Sequence, residues 1–283
     1  MYPVIFELPS WFPLLGGEAI TSFGVMMLLS FLTGGYVTRA ELRRMGQDPD
    51  KAWDLVFMAV IGGIVGAKAY YVLLNWPRLM TDPGGLIFSR GGLVWYGGFI
   101  LATVLVIWEI RRRKLPLRST ADAVAPALAL AYAVGRVGCF LVGDDWGRPT
   151  GSWLGVRFPQ GAPPTRVDII ERDFGITVDP ALVERYGEIV PVHPTQLYEV
   201  ALSTLIFFLL WRIRKREHAA GSIFMVWLAL AGLERFLVEF LRAKDDRFFA
   251  ALTLAQVISV AIIAVGIVGV ARLRRPAPVP SRG

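Results

Sequence analysis

The sequence predicts an all-α integral membrane protein of seven transmembrane helices, with a small extracytoplasmic head between helices four and five. Three observations carry that expectation. The 283 residues are 54% hydrophobic, with a mean hydropathy of +0.51, too apolar for a domain whose surface faces water. Stretches of about 20 apolar residues, the length that crosses a bilayer core, recur along the chain. Short basic clusters fall in alternate connections between them, as the positive-inside rule requires of cytoplasmic loops.

Residues 1–17, MYPVIFELPSWFPLLGG, have no basic n-region and no cleavage-type small-residue pair. They therefore read as an amphipathic arm on the membrane and not as a removed signal peptide. Predicted spans follow at 18–36, 54–74, 93–110 and 121–142, then at 196–211, 221–241 and 252–270. The loops after spans one, three and five read TRAELRRMGQDPDK, RRRKLPLR and RIRKREH, and the tail carries RLRR. These are the cytoplasmic connections, which places the N-terminus outside and the C-terminus inside. The organisation is thus an arm (1–17), helices one to four (18–143), a head (144–195), helices five to seven (196–271) and a cytoplasmic tail (272–283). The head is either a long polar loop or, as its aromatics and its GVRFPQG turn suggest, a packed element. The net charge of +7 resides in the short inter-span clusters, so it implies no nucleic acid. A single cysteine and the absence of a His/Cys cluster give no disulfide framework, no metal and no cofactor.

With the orientation set, each polar residue inside a span acquires a depth. Lys68, Tyr70 and Tyr71 lie in the outer half of helix two, and Trp95 and Tyr96 near the outer end of helix three. Arg136 and Cys139 end helix four on that side, Tyr198 and Glu199 begin helix five, and Glu234, Arg235, Glu239 and Arg242 occupy the outer part of helix six. Each has a plain reading: Lys68 snorkels, Arg235 and Glu239 form a structural i,i+4 pair, Arg136 caps its helix. Together Lys68, Arg136 and Arg235 set three cations against three acids, Glu199, Glu234 and Glu239, in one leaflet, and charge in hydrocarbon costs at least about 2.5 kcal/mol per group. Guanidinium forks suit phosphate, and an anionic phospholipid can deliver one sideways while its tails stay in the bilayer. The glycines of GGIVGAK, YGG and GRVG allow close helix approach or leave room for substrate.

GGLVWYGG, GRVGCFLVGDDWGR, HPTQLYE and ERFLVEFLR, in this order, resemble the prolipoprotein diacylglyceryl transferases of the bacterial inner membrane. The resemblance implies transfer of the diacylglyceryl group of phosphatidylglycerol to the lipobox cysteine of a preprolipoprotein, with release of glycerol phosphate. It implies that Arg136 and Arg235 hold the lipid phosphate and stabilise the leaving group, that Glu239 orients Arg235, and that Gly147 shapes the mouth. His193, Gln196 and Glu199 would fasten the head to helix five. Lys68, Gly97, Gly98, Cys139, Asp144, Arg148, Tyr198 and Arg242 complete the implied substrate-binding set.

The chain departs from the family pattern at three positions. Tyr96 stands where a histidine is usual, Cys139 where an asparagine is usual, and Phe23 where a tyrosine is usual. The histidine is commonly assigned to deprotonating the acceptor thiol. Two readings of this chain are open: Tyr96 acts with a pKa lowered from about 10 by a neighbouring cation, or the thiol ionises beside Arg136 or Arg235 without a base. Cys139 is read as a small inert residue. Alternatives to the transferase are a divergent paralogue with another acceptor or no activity, and an outer-leaflet anion or lipid transporter; against the transporter, no paired halves with broken helices are seen.

Overall fold

The structure, a computed structural model, describes residues 3–7, 9, 11, 19–89, 91–243, 247–249 and 252–273. In chain order the elements are β1 (Val4–Glu7), β2 (Ala19–Thr21), α1 (Ser22–Arg44), α2 (Lys51–Leu74), α3 (Trp76–Thr81), α4 (Pro83–Ile87), α5 (Trp95–Arg112) and α6 (Leu117–Val142). They continue as α7 (Val167–Phe174), α8 (Pro180–Tyr186), α9 (Thr195–Ile213), α10 (Ser222–Glu239), β3 (Arg247–Phe249), β4 (Leu252–Thr253) and α11 (Leu254–Leu273). The architecture is mainly helical. Five helices, α1, α2, α6, α9 and α11, are long and apolar enough to cross a membrane. The remaining long helices, α5 and α10, have 18 residues each, so their charges, Glu109, Arg111 and Arg112 in α5 and Glu234, Arg235 and Glu239 in α10, cannot lie beyond an 18-residue apolar stretch as those at the end of the longer α1 do.

The described part of the arm is extended, β1 pairing antiparallel with β2. The rest of the arm, Glu18 at the start of the first predicted span, and the tail beyond 273 lie outside the described residues.

The chain divides into two compact units, one drawn from 1–33 and 125–283, the other from 34–124. In the 34–124 unit, α2 and α5 pack through glycine. A Cβ on Gly66 would sit 2.3 Å from the carbonyl oxygen of Gly97, a Cβ on Gly97 2.3 Å from that of Gly66, and a Cβ on Gly62 2.5 Å from Cα of Ala102. Backbone thus lies on backbone, the small-residue packing that helices use in lipid. At one end of this unit Leu55, Ile110 and Leu115 are buried together, and Arg113 bridges Asp54 at 2.8 Å and Glu109 at 2.7 Å.

In the other unit Ser30 Oγ donates to the carbonyl of Ala131 at 2.6 Å, joining α1 to α6, and Gly138 of α6 leaves space for Met26 and Phe23. α10 lies against α11, where a Cβ on Gly266 would meet Met225 O at 2.6 Å. Between α6 and α9 the chain is a packed element with its own core: Trp146, Phe158, Ile170, Val178, Val190 and Val192 are buried together with Ala243, which follows α10. Of the two sequence readings of this segment, a polar loop or a packed element, the second describes it. Short bridges, Pro149 with Val192, Val156 with Val192 and Arg166 with Ile189, tie it across.

The α2–α5 contact supplies a direct test. Gly66→Val places methyl groups on the Gly97 carbonyl, and overpacking of this kind costs about 1–3 kcal/mol. The variant should unfold several degrees below the parent in a thermal melt of detergent-solubilised protein, with Gly63→Val, where a Cβ meets nothing within 4 Å, close to the parent.

Candidate functional site

The site grows from three helices of the larger unit. On α6, Tyr132 and Arg136 are four residues apart and share a face, with the guanidinium 5.8 Å from the phenol ring centroid. Glu199 lies one turn into α9. Arg235 and Glu239 share a face of α10, and Arg242 follows its end. The Glu199 side chain is 0% exposed and contacts Arg136 Nη2 directly. Its other oxygen accepts from Tyr132 Oη at 2.9 Å and lies 3.7 Å from Arg235 Nη1. Arg235 Nη2 meets Glu239 Oε2 at 2.6 Å, and Glu239 Oε1 accepts from Thr253 Oγ1 at 3.2 Å. Glu234 accepts from Ser203 Oγ at 2.8 Å, tying α10 to α9.

The chain after α6 supplies the remaining charge. The Asp145 carboxylate bridges two guanidiniums, accepting from Arg136 Nη1 at 3.0 Å and from Arg242 Nη2. Arg242 Nε also lies 3.6 Å from Glu239. Three arginines therefore face three carboxylates, Asp145, Glu199 and Glu239, in one connected network. Exposure is uneven within it: the side chains of Arg136 and Arg242 are 10% and 6% exposed, that of Arg235 33%. Cys139 is buried, with its sulfur 3.4 Å from Arg136 Nη1, which donates to it.

The segment is pinned in place largely by main chain. Gly147 N donates to His193 O at 2.8 Å and Arg148 N to Leu241 O at 2.7 Å. A Cβ on Gly147 would lie 2.4 Å from Leu241 O and 2.8 Å from the Thr195 methyl, so only glycine fits. Gln196 Nε2 donates to the Asp144 carbonyl, and Thr195 Oγ1 to that of Asp145 at 2.8 Å. His193 Nδ1 and Tyr198 Oη are 3.1 Å apart.

The sequence matches the family model described as prolipoprotein diacylglyceryl transferase over residues 9–272. The chain belongs to the prolipoprotein diacylglyceryl transferase family. It is 29% identical over 269 residues to the phosphatidylglycerol–prolipoprotein diacylglyceryl transferase of Clostridium tetani (strain Massachusetts / E88), covering 94% of this chain and 96% of that protein. It is 32% identical over 280 residues to the protein of the same name from Nostoc sp. (strain PCC 7120), covering 94% and 92%. To that of Aeromonas salmonicida (strain A449) it is 30% identical over 271 residues, covering 93% and 89%.

In this diacylglyceryl transferase family member, Arg136, Cys139, Asp144, Gly147, Gln196, Glu199, Arg235, Glu239 and Arg242 come together in one unit. Lys68, Tyr96, Gly97 and Gly98 belong to the other. There the Lys68 ammonium donates to Ser89 O at 2.6 Å, Ser89 Oγ at 2.9 Å and Gly91 O at 3.0 Å, so its N–H groups are taken up by Ser89 and Gly91. Tyr96 is half-exposed beside Trp95, ring centroids 5.3 Å apart. Gly97 and Gly98 make room for the Gly66 and Gly63 carbonyls. Sequence reasoning passed over Tyr132, Asp145, Ser203 and Thr253. Tyr132 carried a signal, four residues before Arg136 on the same helix face, and Asp145 another as the second acid of the GDDWGR run.

Electrostatics separates the adjacent aspartates. Burial alone would push the Asp145 carboxyl up, but Arg242 and Arg136 outweigh it and hold the group well below the usual carboxylate range. Asp144 goes up, chiefly through burial. Burial also lowers the His193 imidazole below its ordinary value, leaving it neutral at pH 7.

Because the folded Asp145 titrates below its unfolded value of about 3.9, its stabilisation is complete above that pH and is lost as pH falls through the lower folded value. Asp145→Asn should therefore lower the melting temperature by a constant amount above about pH 5. The gap to the parent should close below about pH 4, as read from paired melts across pH.

Proposed function

We propose that this protein transfers the diacylglyceryl group of phosphatidylglycerol to the lipobox cysteine thiol of a preprolipoprotein, forming a thioether and releasing glycerol phosphate. One observation carries the reading: two guanidiniums from different helices, Arg136 and Arg235, converge on Glu199, and the Arg235 side chain is left one-third exposed. The names of the relatives, which state phosphatidylglycerol and prolipoprotein, supply the substrates that such a pair would handle.

In the proposed reaction the lipid phosphate docks on Arg235 and Arg136. The acceptor thiol, with a free pKa of about 8.5, loses its proton to water as the thiolate forms beside the guanidiniums. The sulfur attacks the glyceryl carbon, a C–S bond forms, and the C–O bond to phosphate breaks with both electrons going to the phosphate oxygen. Fixed guanidiniums aimed at that oxygen stabilise the charge developing on it, the kind of term that dominates many enzymes. Glu239 acts as the positioning residue for Arg235. Cys139 forms no intermediate, because the acceptor already brings the thiol.

The same reading places the chain in the bacterial inner membrane as seven spans, the N-terminus outside and the C-terminus cytoplasmic. α5 supports its inclusion, since its charges fall in its last four residues. α10 supports it because Arg235 and Glu239 pair with each other and Glu234 accepts from Ser203 of α9. The packed segment 144–195 is then extracytoplasmic, where exported lipobox cysteines arrive.

Purified protein supplied with phosphatidylglycerol and a lipobox peptide should yield the diacylglyceryl thioether by mass spectrometry. Arg136→Ala and Arg235→Ala should each reduce turnover at least about 100-fold, as loss of one preorganised donor does elsewhere. Arg235→Lys should recover little of it, and Cys139→Ser should keep most activity. Near-parental turnover in both alanine variants would remove the phosphate-clamp reading.

Orientation has its own test. Cysteines introduced near Lys114 should react with an impermeant thiol reagent only from the cytoplasmic side, and cysteines near Gly161 only from outside, in a Cys139→Ser background. Opposite labelling would put the guanidinium network on the wrong side of the membrane for an exported acceptor.

A further inference from the structure

Next to the guanidinium network the segment after α6 encloses a cleft of about 270 Å³. Asp144, Asp145 and Arg242 line it together with Trp146, Pro163 and Phe174. Two of these residues hold hydrogen-bonding capacity that the described residues leave unused: Asp144 Oδ1 and Arg242 Nε are buried with no hydrogen-bond partner, Arg242 Nε lying 3.6 Å from the Glu239 carboxylate. Buried polar atoms in this condition are destabilising, a cost that a ligand offering both a hydroxyl donor and an anionic acceptor would remove. Trp146, Phe174 and Pro163 add aromatic and proline side chains to the lining, suited to the C–H surface of a small polyol. The volume lies at the small end of ligand pockets and suits a polar headgroup, not a pair of acyl chains.

Asp145 ties this cleft to the network. Its backbone is in the left-handed region, φ +58°, a conformation uncommon for a non-glycine residue and often found at functional sites. Among the three carboxylates that neutralise the arginines, Glu199 and Glu239 are 0% and 1% exposed, whereas Asp145 is 36% exposed. An entering anion meets Asp145 first and can replace it with the least burial undone.

We propose that this cleft is the subsite for the glycerol phosphate moiety of the reaction, and that Asp145 is the built-in carboxylate which that moiety displaces from Arg242. The inference rests on the transferase reading. The phosphate that docks on Arg136 and Arg235 takes the place of the Asp145 carboxylate, which bridges Arg136 and Arg242, and so gains Arg242 as well; a glycerol hydroxyl donates to Asp144, and the carbon chain lies against Trp146 and Phe174. The return of Asp145 to Arg242 then expels the product.

The test uses the full-length protein in nanodiscs, with glycerol phosphate as the probe and no acceptor peptide present. Asp145→Asn keeps the side-chain size and a residue tolerant of positive φ while removing the competing charge; it should tighten glycerol phosphate binding, read by calorimetry, about tenfold. Ala162→Leu fills the cleft from an exposed lining position; it should weaken binding at least tenfold with a parental melting temperature. The source of the moiety is read separately from KM for phosphatidylglycerol. If the headgroup enters while still attached to the lipid, KM shifts in the same sense as the binding constant in both variants. If only the freed product enters, KM stays put while the binding constant moves. Binding no tighter in Asp145→Asn, or undiminished in Ala162→Leu, overturns the proposal. Cleft-dependent binding in a protein that forms no thioether would instead reject the reaction and leave the site standing.

Discussion

A carboxylate with no access to solvent governs this site. Glu199, in the second turn of α9, is 0% exposed, and an isolated ionised carboxylate in that setting would cost several kcal/mol. It is tolerable because Arg136 from α6 and Arg235 from α10 reach it and Tyr132 donates to it. One buried charge thereby fixes the mutual placement of three helices. Removing it would leave two guanidiniums facing each other without their common counter-charge, so the same contact that orients the arginines also keeps them compatible.

The network extends from Glu199 through buried groups to two accessible ones, Arg235 and Asp145. Glu239 holds Arg235 and approaches Arg242, and Arg242 shares Asp145 with Arg136. Neutrality is reached inside the protein, so an incoming anion must exchange with a carboxylate instead of simply filling an empty cationic hole. That exchange is easiest at the exposed rim. Close packing of main chain makes the arrangement possible: Gly147 lets the segment carrying Asp145 lie against Leu241, Thr195 and His193, bringing residues far apart in sequence to within hydrogen-bonding reach.

Glycines that look alike in sequence do different work here. Gly66 and Gly97 make a helix-to-helix backbone contact in the 34–124 unit, whereas Gly147 seats an irregular segment beside the charges. Lys68 illustrates the same divergence among cations. Set beside the arginines on sequence depth alone, it donates to three oxygen acceptors of Ser89 and Gly91, because an ammonium on a long flexible stem can reach several carbonyl and hydroxyl oxygens where a planar guanidinium favours a carboxylate fork.

By itself the sequence determined the helical class, the position of the long helices other than α1, and the family, because apolar run length and the order of GRVGCFLVGDDWGR, HPTQLYE and ERFLVEFLR are local properties of the chain; α1 runs on to Arg44, past the expected end at 36, because the polar TRAELRR run continues the helix beyond its apolar part. It also marked Arg136, Glu199, Arg235 and Glu239, since charge inside an apolar run is visible without coordinates. Only the tertiary structure decided which acid answers which arginine. The i,i+4 pair of Arg235 and Glu239 follows from helix geometry, but Asp145 with Arg242 spans 97 residues and Glu199 with Tyr132 spans 67. Pairings at such separations depend on how helices and an irregular segment pack, a property that no periodicity encodes. The exposed carboxylate and its cleft were illegible for the same reason, since burial of a side chain is set by its neighbours in space and not by its neighbours in sequence.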